Sequence, residues 1–259
     1  MMRIGLSQLE IEWEDIDANM KKCEEIIRYA KEKGVELIGF PEFTLVGFTL
    51  HPEAFCDKED SMKQVDFFKE MSVKYDISIV FGYIMEHKPH PLNKLAIVSQ
   101  GRVLLDYAKL HSYSFGNENN YYDRGESIFT TEIDGMKLGA HICFDLRFPE
   151  IFQISARNSD VIFVIGNWPG DRIENWYTLL RARALETQCY IVGVNRAGAG
   201  GGVKYIPSSA AYDPAGKRVT EESEDCLVLF DADKSYVEAV RKNFPLKMDR
   251  RDALYKSLY

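Results

Sequence analysis

Residues 136–166, "MKLGAHICFDLRFPEIFQISARNSDVIFVIG", decide the fold. "MKLGAHICF" reads as a strand, "PEIFQISARN" as a helix and "DVIFVIG" as a second strand, a β-α-β unit. The alternation extends both ways from there. Downstream, "ENWYTLLRARALETQ" is helical and "CYIVGVN" a strand, followed by strand-like "SSAAYD" and "CLVLFDAD" and a last helix around "SYVEAVRKNF". Upstream, "RIGLSQL" (3–9) is a strand and Ile16, Met20, Cys23, Ile26, Ile27 and Ala30 share one helix face. "VELIGF" (35–40) follows as strand. A helix from about Lys58 to Tyr75 leads into three close strands, "ISIVFGYIM", "KLAIVS" and "RVLLDYA". Helices that separate this many strands predict an α/β fold, with helices layered on the faces of two sheets.

At 259 residues, 46% hydrophobic and 28% charged, the chain has the balance of a globular protein. No Pro/Ser-rich linker or low-complexity segment divides it, which predicts a single domain over 1–259. Its longest apolar runs are too short to cross a bilayer, and "MMRIGLSQLE" has no signal-peptide pattern. The expectation is a cytoplasmic protein without a membrane partner. A net charge of −8 argues against a nucleic-acid surface. Five scattered cysteines (23, 56, 143, 189 and 226), with no CxxC pair, suggest neither a disulfide framework nor a zinc site. "HKPH" (87–90) reads as a polar loop, not a metal site.

Cys143 ends its strand, where α/β folds place reactive groups. A buried structural thiol is the commonest fate of a free cysteine and the reading for Cys23. A catalytic thiol needs a base or cation, because at its ordinary pKa it is only a few per cent thiolate. His141 would share the strand face of Cys143, but an i,i+2 pair lies about 7 Å apart. His111 is better placed, yet nothing papain-like surrounds the cysteine. Two other strand ends carry charge: Glu42 in "ELIGFPEFTLVGF" and Lys109 in "RVLLDYAKLH". Singly these read as a loop acid and a snorkelling surface lysine. Together with Cys143 they supply a base, an oxyanion stabiliser and a nucleophile, the groups of acyl transfer.

"PEFTLVGF", "YAKLH" and "HICFDLRFPE", in this order, resemble the three signature segments of the nitrilase superfamily of carbon–nitrogen hydrolases. In "FGNENNYYDRGE", Glu118 matches that family's second glutamate, ahead of Gly125. "NWPGDRIENW" followed by "RARALETQCYIVGVNR" resembles the ω-amidase branch, which acts on the terminal amide of short α-keto or dicarboxylic acid monoamides. His141 and Phe144 depart from the family pattern, the latter where many members have Tyr.

The resemblance implies a four-layer α-β-β-α sandwich. Its core would span about 3–244, with a tail at 245–259 near a homodimer interface to which "ENWYTLLRARALETQ" contributes. It implies catalysis without metal or cofactor on a small-molecule amide. Glu42 would be the base, Cys143 the nucleophile forming a thioester, and Lys109 with the Phe144 N–H would stabilise the oxyanion. Glu118 would position substrate or water. Arg172 is the expected partner of a substrate carboxylate and Trp168 a pocket wall. Arg147 is expected to brace its loop through Glu150 or Asp145, and "AGAGGG" (197–202) to be a flexible loop. A broad aliphatic amidase, an N-carbamoyl amidohydrolase and a nitrilase are alternatives with the same triad, and a non-catalytic scaffold is the alternative outside enzymes.

Overall fold

Along nearly every strand, side chains alternate between two apolar environments, and this alternation builds four layers. The computed structural model describes residues 1–220 and 225–258. In chain order the first half comprises β1 (Met2–Ser7), α1 (Ile16–Glu32), β2 (Leu37–Gly39), α2 (Lys58–Lys74), β3 (Ser78–Met85), β4 (Leu92–Ser99) and β5 (Arg102–Ala108). Then come β6 (Thr130–Ile133), β7 (Met136–Ile142), α3 (Pro149–Ser155), β8 (Val161–Gly166), α4 (Ile173–Thr187) and β9 (Tyr190–Asn195). The chain continues through β10 (Gly198–Gly200), β11 (Val203–Tyr205), β12 (Ala210–Tyr212), β13 (Leu227–Ala232), α5 (Lys234–Asn243) and α6 (Asp252–Leu258).

One sheet has the order β13-β1-β2-β3-β4-β5 and the other β12-β9-β8-β7-β6. Each is parallel at its centre and antiparallel at its edges: β1-β2-β3 and β7-β8-β9 run parallel, while β13, β4, β5, β6 and β12 pair antiparallel. Ile4, Leu6, Leu37, Val80, Leu95 and Ile97 of the first sheet meet Leu138, Ala140, Ile142, Phe163, Ile165 and Val192 of the second in one buried cluster. The intervening residues point the other way. Ile38, Ile79, Phe81 and Val98 pack under α1 and α2, on Cys23, Ile27 and Phe68. Ile162, Val164 and Ile191 pack under α3 and α4, on Phe152, Trp176 and Leu180. A strand buried on both faces reads as a continuous apolar run, which is why "VIFVIG" shows no polar alternation.

Helix starts are set locally. Asp15 accepts from the Ala18 N–H (2.9 Å) ahead of α1, and Asp57 from the Asp60 N–H (2.8 Å) ahead of α2, caps typically worth about 1 kcal/mol each. Two expectations need correction. The glycine-rich 197–202 stretch is the start of a small hairpin in which Gly198 to Gly200 pair with Tyr205 to Val203. The tail carries α6 beyond the last helix expected; Tyr259 lies outside the described residues.

Candidate active site

Three strand ends deliver Glu42, Lys109 and Cys143 to one place. Cys143 does not continue β7. It opens a 3-10 turn, Cys143–Arg147, with φ of +47°, a left-handed conformation rare for a side-chain-bearing residue. This breaks the two-residue alternation, so His141 and Cys143 do not share a face. Glu42 lies in the turn after β2, and Gly82 of β3 lets that turn sit directly on the strand. A Cβ there would stand 2.5 Å from the Phe43 nitrogen and 2.8 Å from the Glu42 Cα. Lys109 follows β5, and its carbonyl accepts from the Gly125 N–H (2.8 Å). A Cβ at Gly125 would come within 2.3 Å of the Ala108 oxygen, so this glycine fixes the 118–125 segment against the lysine.

The Lys109 ammonium donates to Glu42 Oε1 (2.8 Å) and to both oxygens of Glu118 (2.9 Å each), and all three residues are buried. The three N–H groups of the ammonium are matched by these three oxygens, and Lys109 also lines the cavity. Burial works to depress the lysine pKa, but the Glu118 and Glu42 carboxylates outweigh it and hold the ammonium well above its usual range. Burial and the Glu42 carboxylate push the Cys143 thiol up, and Lys109 pulls the other way. Two carboxylates against one ammonium already leave a net negative charge, so a resting thiolate would add a second. The thiol therefore rests protonated, and attack requires removal of its proton.

Glu42 is held from both sides. Its Oε2 accepts from the Asn167 backbone N–H (2.9 Å), while the Asn167 side chain donates to the Glu42 carbonyl (2.6 Å). Asn93 on β4 donates to Glu42 Oε1 (2.8 Å) and Glu118 Oε1 (2.9 Å). The Tyr113 N–H donates to Glu118 Oε2 (2.6 Å). Asn93, Asn167 and Tyr113 were missed in the sequence. The signals present were an amide side chain inside the apolar run "LNKLAIVS" and another one residue past "VIFVIG".

A cavity of about 490 Å³ opens above Cys143, Lys109 and Asn167, walled by Tyr113, Phe144, Trp168, Tyr205, Trp13 and Phe48. Phe144 and Trp168 line this cavity, and the Phe144 N–H sits in the first turn of a 3-10 segment, where it has no intrahelical partner. Glu118 stands behind Lys109 with both oxygens engaged, not on the wall. Arg172 lines the cavity but donates to the Tyr113 hydroxyl (2.7 Å), stacks on that ring and lies 3.5 Å from Asp171. Arg147 does not brace the loop. Asp145 is taken by Tyr107 Oη (2.7 Å) and His111 Nδ1 (2.8 Å), so the Arg147 guanidinium turns into the cavity over Trp168 (5.0 Å) and Phe144 (5.9 Å). Among the described residues Arg147 has no carboxylate partner.

The Asp145 carboxylate also accepts from the N–H groups of Ile142 (3.1 Å) and His111 (3.0 Å), pinning the cysteine turn to the chain beyond Lys109. Tyr107 spends its one proton on Asp145, so it accepts from His141 Nδ1 (3.3 Å), and His141 Nε2 accepts from Ser155 Oγ (2.8 Å). Burial lowers the His141 pKa to about 4. The unfolded chain, with histidine near 6.5, protonates first. The contribution of neutral His141 is therefore intact above pH 6.5 and lost as pH falls toward 4. Between pH 7 and 5 wild type is expected to lose about 2 kcal/mol more than His141→Asn, measured by urea unfolding at both pH values.

Among the described residues no cluster of three or more His, Cys, Asp or Glu side chains forms a metal-binding group, and no helix is long and apolar enough to cross a membrane.

The carbon–nitrogen hydrolase family model matches residues 3–242, and the chain belongs to that family. It is 28% identical to the 2-oxoglutaramate amidase of Bacillus subtilis (strain 168), covering 97% of this chain and 98% of that one. It is 31% identical to a Staphylococcus lugdunensis protein described as a hydrolase in the agr operon, over 86% of this chain and 98% of the other. Its structure superposes with a TM-score of 0.88 on XC1258 from Xanthomonas campestris, a CN-hydrolase superfamily protein with an arsenic adduct in its active site. Identity there is 26%, over 96% of this chain and 97% of the other.

Proposed function

We propose that the protein hydrolyses the terminal amide of a short α-keto or dicarboxylic acid monoamide, releasing ammonia through a thioester on Cys143. The observation that carries this is the buried Glu42–Lys109–Glu118 cluster set against the Cys143 thiol at a cavity floor. Glu42 takes the thiol proton as Sγ attacks the amide carbon. The oxyanion is met by the positive charge of the Lys109 ammonium and by the Phe144 N–H. Glu42 returns its proton to the nitrogen as the C–N bond breaks, because an amide anion is too poor a leaving group. Water, deprotonated by Glu42, then attacks the thioester and yields the carboxylic acid and the free thiol.

The substrate's distal carboxylate is assigned to Arg147, whose guanidinium sits over two aromatic rings in the cavity; Arg172 is already committed to Tyr113. The 2-oxoglutaramate amidase relative agrees with such a substrate. The reading includes subunits that pair through the α3–α4 layer, where Ile154 and Leu185 are exposed.

Ammonia release from 2-oxoglutaramate, glutamine, a carbamoyl amino acid, propionamide and a simple nitrile tests the reading. The carboxylate-bearing ω-amide is expected to be the best substrate, and activity confined to the nitrile would overturn it. Arg147→Met should raise KM for 2-oxoglutaramate by about 10- to 100-fold, the loss of one charge-assisted pair, and leave propionamide nearly unchanged.

A further inference from the structure

We propose that Asn93 is a positioning residue for the reaction: its side-chain amide locks the Glu42 carboxylate in the one orientation that leaves Oε2 facing the cysteine, and braces Glu118 in the same act. This rests on the assignment of Glu42 as the base.

Asn93 is 1% exposed and sits in β4, paired with Ile84 of β3. Its Nδ2 donates to Glu42 Oε1 and Glu118 Oε1, the same two oxygens that receive the Lys109 ammonium. Its own backbone carbonyl accepts from the Lys109 N–H (2.9 Å). One residue thus holds both carboxylates and the strand end that carries the lysine. Among the described residues Asn93 Oδ1 is buried with no partner, because the side chain aims its NH₂ group between the two acids.

With Lys109 and Asn93 on Oε1 and the Asn167 N–H on Oε2, rotation of the Glu42 carboxyl is blocked, and Oε2, with one remaining lone pair, is the oxygen assigned to proton transfer. That oxygen lies beside the Asn167 backbone N–H, which also acts on the Cys143 sulfur. Asn93 donates two hydrogen bonds and adds no charge. An acid here would put a third carboxylate into a cluster with one cation, and a lysine would neutralise the base.

The test is the pH profile of kcat/KM with 2-oxoglutaramate for wild type, Asn93→Leu and Asn93→Asp, alongside thermal midpoints. Asn93→Leu removes the donors and the orphaned oxygen at similar volume. Losing a donor disfavours the ionised base, so the acid limb is expected to move up by about half to one pH unit. Turnover should fall about 10- to 100-fold, with KM within about threefold. Asn93→Asp keeps the shape and adds a like charge, so its acid limb should move further in the same direction, which keeps the test valid should the leucine variant fail to fold. Acid limbs unchanged in the folded variants, with activity tracking only the folded fraction, would overturn the proposal. Loss of the Glu42 assignment reads differently: wild type would release no ammonia, or Glu42→Gln would retain full turnover.

Discussion

Cys143→Ala is expected to fold like the wild-type protein and to release ammonia at least about 10⁴-fold more slowly. The two halves of this expectation come from different properties of the residue. Its left-handed backbone strains alanine as much as cysteine, so the exchange is nearly neutral in the turn. The turn is secured by Asp145 through the Ile142 N–H, a contact that does not involve the thiol. Chemically, however, no second thiol lines the cavity among the described residues. Lys109 is held by two carboxylates as an ammonium, and His111 is committed to Asp145 and stacked on Phe148. Far-UV circular dichroism and a thermal midpoint establish the fold, and ammonia release gives the rate.

Lys109→Met should be damaging in a different way, because it removes the only cation from between two buried acids. Breaking one partner of a buried pair typically costs about 3–5 kcal/mol, since the remaining charge is left uncompensated. Here Glu42 and Glu118 would face each other across Asn93. The two buried negative charges then repel each other uncompensated, so the stability deficit should be largest at neutral pH and shrink in acid. Turnover of the folded fraction should drop about 10² to 10³, the usual effect of removing an oxyanion donor. Urea unfolding at pH 5 and 7.5, compared with wild type, measures the first effect. A deficit that does not depend on pH would contradict the electrostatic account.

The layers were legible because strand and helix periods are local. The face of α1 written by Cys23, Ile27 and Ala30 is buried as the spacing implied, and the strands flanking Cys143 follow the apolar runs, although the first stops at Ile142, short of the Cys143 and Phe144 it was expected to carry. The three strand ends were legible too, since charge after an apolar run marks where a sheet stops. What the sequence withheld were facts of orientation. Arg147 stands at helical spacing from Glu150 and close to Asp145, so pairing looked natural. Asp145 instead satisfies two N–H groups, a tyrosine and a histidine from elsewhere in the chain. Asn93 reads as a tolerated polar residue in a strand until β5 and the 118–125 segment are folded around it. The glycine-rich hairpin has no side-chain period to read.

A covalent acyl group on Cys143 is expected during turnover of 2-oxoglutaramate, and acid-quenched intact-mass analysis detects it. The expected species is heavier by the substrate minus ammonia, maps to the peptide containing Cys143 and is absent from Cys143→Ala. Steady ammonia release with that peptide unmodified, and with Cys143→Ala retaining full turnover, would contradict it.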